Sequence, residues 1–470
     1  MTSRTLLSLL LAAPLAGCVG IGQYRADPIA VASHYGRGDA ALNSPDQILP
    51  VQPTYPAHDI ASDPWWRGFG DARLDRMVEQ ALAANSDLAA AGLTLRKARL
   101  SAGLDEAALY PTASGSGSGS ASRYTAQHDH FDRSYSASAG LSWEIDLWGK
   151  LRAQRDVSRW EAQATAEDLQ NTALSLVGEV CDDYWQLAYL NQSIAAGERN
   201  IDELARILEL VRVQFDSGDV SRLELREAEQ NLESERSSQS QLLQQRVEIR
   251  NAITVLLDGK PWPQADEPQD LNAAASPALA PGLPAQLLGR RPDLRAAELR
   301  LRESLAQIKA TARSYYPALS LTGTLSGSST ALAQVLKNPL ATLGADLSLP
   351  FLDIATARLE TRIAGTSYEI AATEFRTTLY TALSEVDNAL SSREQLTDQV
   401  EASRKSYEAA RDIARMYEVR YRAGYSDLRT WLDAQQTLRS SELALAEARM
   451  NQLQADVTLY QALGGSAQPR

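Results

Sequence analysis

The chain offers few side chains for catalysis. Its four histidines and two cysteines leave little material for a metal site. His128-Asp129-His130 has metal-ligand character, but it falls between two strand-like segments and reads as an exposed loop. No phosphate loop, nucleophile elbow or HExxH helix occurs. A formal net charge of −13 argues against nucleic acid, because phosphate binding needs a basic face. The expectation is therefore no enzyme, no metal and no cofactor. The residues that do stand out are Cys18 and two glycine turns, Asp216-Ser217-Gly218-Asp219 and Arg422-Ala423-Gly424-Tyr425. Glycine permits the positive φ of a tight helix-to-helix reversal.

Cys18 closes the tetrapeptide Leu15-Ala16-Gly17-Cys18, after a basic Arg4 and an apolar run from Leu6 to Leu15. That run is too short to span a bilayer as a helix and has the build of a secretion signal. The tetrapeptide has the pattern of a bacterial lipobox. Residues 1–17 are expected to be cleaved, leaving Cys18 as an N-palmitoyl, S-diacylglycerol cysteine. Val19 follows, not the Asp that favours inner-membrane retention in such lipoproteins. The mature chain then lives in the oxidising envelope. Cys181 is its only unmodified thiol, so no intrachain disulfide is possible.

The elements around these residues come in two copies. Asp87–Arg96 matches Asp293–Arg302 at seven of ten positions, at an offset of 206 residues. Tyr110-Pro111, Leu141-Ser142, Glu179-Val180, Gly218, Gln230 and Gly259 recur at the same offset. Such a register marks a duplicated unit whose halves share a fold. Proline agrees: none lies between Pro111 and Pro261 or between Pro350 and Pro469, so both stretches can hold very long helices. The domains read as a lipidated tether over 18–64, a first repeat over 65–260, a Pro/Ala-rich linker over 261–285, a second repeat over 286–466 and a tail over 467–470.

Within each repeat a helix precedes two strand-like segments, and a long helical stretch follows. Ile201, Leu204, Leu208, Val211 and Phe215 step by three and four, as do Leu443, Ala446, Met450, Leu453, Val457 and Tyr460. This is coiled-coil spacing. A helix from Lys150 to Asp216 would be roughly 100 Å long, fit for a tube rather than one globular core. The strand segments, 112–123, 134–146, 318–328 and 342–351, alternate and carry aromatics at their ends. Each is about the length that crosses a bilayer as a tilted strand. Four strands cannot close a barrel, and lipid does not tolerate an open edge. Two chains would supply eight strands and three would supply twelve.

Three runs resemble the outer membrane factor family: Arg290-Arg291-Pro292-Asp293 leading to Tyr315-Tyr316-Pro317, Trp143–Arg152, and Tyr421-Arg422-Ala423-Gly424 through Leu432-Asp433-Ala434-Gln435. The chain is most similar to the lipid-anchored drug-efflux branch. The resemblance implies an α+β membrane protein: a TolC-like homotrimer with a shared 12-stranded outer-membrane barrel, four strands per chain, and a periplasmic α-helical barrel. It implies a periplasmic adaptor and an inner-membrane transporter as partners. It also implies adaptor contacts at Gly218, Ser221, Gly424 and Ser426, and a cation-favouring ring of Asp433 at the periplasmic gate. Glu224 and Tyr421 match a family pair that latches the gate by a hydrogen bond. Ser426 and Arg429 depart from the family at the tip, so the latch is expected to differ in detail. The function expected is passive efflux of small molecules. Type I protein secretion and a pore-free coiled-coil lipoprotein scaffold are the alternatives. Where the halves disagree, as at Glu224 against Thr430, Glu227 against Asp433 and Leu225 against Trp431, the tip is expected to carry its gate.

Overall fold

The computed structural model describes residues 64–123, 131–271, 276–277 and 287–465, plus a short pairing of Ala30–Val31 with Gln47–Ile48. Cys18, the leader and His128–His130 lie outside the described residues, as do most of the tether and much of the linker. The chain divides into two compact units. One holds Leu93–Glu167 and Ala296–Thr378; the other holds the described parts of Pro28–Gly92, Asp168–Arg295 and Leu379–Arg470.

The first unit is built on an antiparallel sheet of β1 (Thr112–Ser122), β2 (Asp132–Ile145), β3 (Ala318–Ser329) and β4 (Leu340–Ser348), paired in that order. The Gly/Ser composition of β1 would suit a flexible linker. Pairing with β2 makes it a strand, through a continuous register from Thr112↔Ser142 to Ser122↔Asp132. Hydroxyl pairs support it: Ser116 meets Ser138 and Ser118 meets Ser136, each at 2.8 Å. β4 ends at Ser348 rather than at residue 351, because Pro350 has no N–H for the ladder and starts a 3₁₀ turn, Pro350–Leu352. β2 begins at Asp132, two residues before the expected 134.

Helices leave and enter the sheet at one end. α2 (Ser86–Ala107) runs into β1, and α3 (Lys150–Ser217) follows β2 as one helix of 68 residues. α5 (Pro292–Ser314) leads into β3, and α6 (Ile354–Arg422) follows β4 with 69 residues. The second family-like run makes one of these junctions. Trp143 Nε1 donates to the Leu109 carbonyl at 3.0 Å, and Asp146 accepts from the Leu151 and Arg152 amides, both at 3.1 Å. Trp148 Nε1 donates to the Pro317 carbonyl at 2.9 Å, and its ring meets Tyr316 edge-on.

The second unit adds α1 (Ala72–Ala84), α4 (Arg222–Leu256) and α7 (Leu428–Ala462). Its larger core packs Trp65, Trp66 and Phe69 with Met77 and Val78 against Val180, Tyr184 and Trp185 of α3 and Leu453, Val457 and Tyr460 of α7. Trp65 stacks on Tyr460 at 4.7 Å, so the tryptophan pair anchors the start of the repeat. Cys181 is fully buried here, and burial pushes its thiol well above the usual range. The arginine-rich family run also has a packing job. Arg291, nearly buried, grips Asp293 at 2.7 Å and Glu385 at 2.6 Å. No described helix is long and apolar enough to cross a membrane.

Candidate functional site

The sheet register sorts side chains onto two unlike faces, since directly paired residues share a face. One face carries Ala113, Gly115, Gly117 and Gly119 of β1, then Ala137, Ala139, Leu141, Trp143 and Ile145 of β2. It continues through Leu319, Leu321 and Leu325 of β3 to Ala341, Leu343, Ala345 and Leu347 of β4. Leu343 is 91% exposed and Leu325 52%. An apolar face of this extent marks contact with lipid or with another chain. The opposite face is mainly hydroxyl and glycine, with Ser114, Ser116, Ser118, Ser136, Ser138, Thr322 and Thr324 among its members, and carries the carboxylates Asp132, Glu144 and Asp346. A surface that is apolar on one side and small-polar on the other is what a barrel wall between lipid and water requires.

The helical tip of the second unit is built from two reversals with one backbone. Gly218 has φ 83° and Gly424 has φ 75°. At the first, the Gly218 amide donates to the Phe215 carbonyl at 3.0 Å and the Asp219 amide to Gln214 at 2.8 Å. At the second, Gly424 donates to Tyr421 at 2.9 Å and Tyr425 to Arg420 at 2.8 Å. Both are Schellman closures, which consume the last free carbonyls of α3 and α6.

The helices that start after these turns are capped differently. Ser221 caps α4: its Oγ accepts from the Leu223 amide at 3.1 Å, while Glu224 accepts from the Ser221 amide at 3.0 Å and from its hydroxyl. This is a capping box. The Ser221 hydrogen bond holds the Glu224 carboxyl below its usual range. In α7 the roles swap: Asp427 is the cap and accepts from the Thr430 amide at 2.6 Å.

Glu224 and Tyr421 therefore do not bond each other within the described chain. Glu224 is engaged by its own cap, and the Tyr421 hydroxyl donates to Gln214 Oε1 of α3 at 2.8 Å. Burial raises the Tyr421 pKa, with the Glu224 charge a smaller contributor. The Tyr421 ring lies 5.1 Å from the fully buried Trp431, in a small core with Leu204, Ile207, Val211, Leu232 and Leu432. Ser426 is half-buried beside the turn. Asp433 is exposed one turn into α7, and its carbonyl accepts from Thr437 at 2.8 Å.

The helices also carry a feature that sequence spacing does not signal. Between the tip core and the larger core, α3, α4 and α7 all pass through a polar layer. Arg439 pairs with Glu235 at 2.5 Å, with 12% and 2% of their side chains exposed. Gln239 Nε2 donates to the Ile194 carbonyl at 3.1 Å, and Gly197 leaves the room it needs. Desolvation raises the Glu235 pKa, partly offset by Arg439. Helical spacing alone reads Glu235 and Arg439 as surface charges; the third helix buries them.

Comparison with known proteins agrees with this architecture. The family model for outer membrane efflux proteins matches residues 77–259 and 283–465, a constant offset of 206 residues. The "Toxin and drug export protein A" of Aggregatibacter actinomycetemcomitans is 29% identical, over 98% of this chain and 97% of its own length. The "Antibiotic efflux pump outer membrane protein ArpC" of Pseudomonas putida is 29% identical, over 98% and 96%. The solved structure of the outer-membrane channel OprN superposes with a TM-score of 0.77 at 28% identity, covering 96% of this chain and all of that one. With two family matches filling most of its length and the same fold, the chain belongs to the outer membrane efflux protein family: it is a TolC-like outer-membrane efflux channel, a passive conduit and not an enzyme.

Proposed function

We propose that three copies of this chain close a twelve-stranded outer-membrane barrel that passes small molecules such as drugs outward from a periplasmic adaptor and an inner-membrane transporter. The observation that carries this reading is the two-faced sheet with its two open edges. Among the described residues β1 and β4 each have one neighbour, and the bilayer core offers no water to satisfy the groups left over. On the same reading, residues 1–17 are removed and Cys18 is acylated. The turns at Gly218, Ser221, Gly424 and Ser426 meet the adaptor at the periplasmic end. Tyr421 and Glu224 belong to the gate, with Gln214 as the tyrosine's partner inside the chain, and Asp433 contributes one carboxylate per copy to a ring.

The test is to purify the full chain from membranes, insert it in planar bilayers and record single channels, while its loss in cells is scored by drug susceptibility. Discrete channels together with drug hypersensitivity on deletion support the reading. A protein that never conducts sinks it. Labelling with radioactive palmitate that disappears in C18A tests the anchor separately. A second reading, export of a protein, is favoured by the relative named for toxin as well as drug export. Loss of a secreted protein on deletion, with unchanged drug susceptibility, would select it.

A further inference from the structure

The hydroxyl face of the sheet carries charge of one sign. Within the strands its ionisable residues are Asp132, Glu144 and Asp346, and none is basic; the one strand arginine, Arg133, pairs with Ala121 on the apolar face. Glu144 and Asp346 lie in one row near the helix end, each paired directly with Ser320 between them. Glu144 is balanced by Lys150, whose Nζ lies 2.8 Å from its carboxylate. Asp346 is exposed, and its carboxylate makes no hydrogen bond or ion pair among the described residues. The row therefore keeps one uncompensated negative charge per chain.

We propose that Asp346 makes the barrel itself cation-preferring, independently of any carboxylate at the periplasmic tip. This rests on the reading of the sheet as one third of a barrel. Twelve strands at ~4.8 Å spacing, tilted by ~40°, enclose a backbone radius of about 12 Å. Side chains on the inner face then reach within about one Debye length of the axis at 0.1 M salt, so a ring of like carboxylates acts on every passing ion. Apart from the Glu144–Lys150 pair beside it and Asp132 at the far end of the strands, the wall around it is mainly neutral hydroxyl and glycine, which neither attracts anions nor screens the ring. Permeant cations and neutral hydrogen-bonding solutes suit this lining, and polyanions do not.

The experiment uses the full chain in planar bilayers, with reversal potentials measured under a salt gradient. D346N is expected to lower the cation-to-anion permeability ratio about twofold or more, and D346E to retain it. In D346C the remaining cysteines do not compete, since Cys181 is buried and Cys18 is the proposed acylation site. A sulfonate-bearing thiol reagent should then restore the preference and an ammonium-bearing one invert it. Conducting D346N channels with an unchanged ratio, or a D346C thiol that no reagent reaches, overturn the proposal. A wild-type protein that forms no channel overturns the barrel reading beneath it.

Discussion

The two tip reversals share a backbone and little else. At Gly218 and Gly424 the closures are the same, bond for bond. Two positions after each Schellman pair, a side chain caps the next helix, but Ser221 with Glu224 does in the first half what Asp427 with Thr430 does in the second. The Glu224/Thr430 mismatch thus includes an exchange of capping residues, alongside the gate role proposed for Glu224. Further divergence lies beside it. Phe215 stands opposite Tyr421 across the repeat, and only the second half has a hydroxyl to reach Gln214. Leu225 stands opposite Trp431, and only the tryptophan is fully buried. Glu233, exposed and paired with Arg236, stands opposite Arg439, which is buried against Glu235. A duplicated unit keeps its turns because φ leaves no choice. It spends its freedom on the side chains between hairpins.

Exchanging residues between the halves turns this contrast into measurements. Trp431→Ala should cost the tip about 3–5 kcal/mol, read as faster hydrogen exchange in the first turns of α7, while Leu225→Ala costs about 1–2 kcal/mol. Equal effects would place the two halves on one footing. Arg439→Met should cost about 3–5 kcal/mol because it strands the Glu235 carboxylate in a buried layer, and adding Glu235→Leu should recover most of it. A double variant as unstable as the single would show that the layer is held by something other than charge.

A third exchange uses pH. Asp182 and Asp183 stand where the second half has Asn388 and Ala389. Burial first, then neighbouring carboxylates, push their pKa values up to about 7 and about 6. A carboxyl whose pKa rises on folding stabilises the fold fully below its unfolded value near 3.8, and that stability is lost as pH rises through the folded value. D182N/D183A should therefore be more stable than wild type by about 1–3 kcal/mol at pH 8, with the gap closing toward pH 4. Parallel stability curves would refute it. The smallest effect belongs to Tyr421→Phe, which removes one cross-hairpin hydrogen bond worth about 1 kcal/mol. It should raise single-channel conductance, and Phe215→Tyr should not.

Much of this is legible in the amino-acid sequence. Gly218 and Gly424 were legible because a helix reversal needs positive φ and glycine supplies it. The long helices were legible because proline is absent where they run. The four strands were legible from alternation, yet their ends were not: Pro350 ends β4 early, and Asp132 extends β2 through pairing that only the register reveals. Asp346 lay inside an expected strand, but its importance depends on which neighbours share its face and on Lys150 cancelling Glu144. Glu235 and Arg439 sit on helices where charged residues usually face water, and only the packing of a third helix buries them. Capping by Ser221 and Glu224 has an S-x-x-E signature in the sequence, on the same glutamate that resembles a gate residue of the family.

Everything about conduction depends on whether three sheets close into one. Oxidative cross-linking tests this most directly, using full-length chains with Gly117→Cys in β1 and a second cysteine at Ala341, Leu343 or Ala345 in β4. At the matching register the account predicts a covalent trimer in membranes and nothing larger, because a closed ring leaves no free edge. Monomers at every pairing, or a ladder extending beyond three chains, would contradict it.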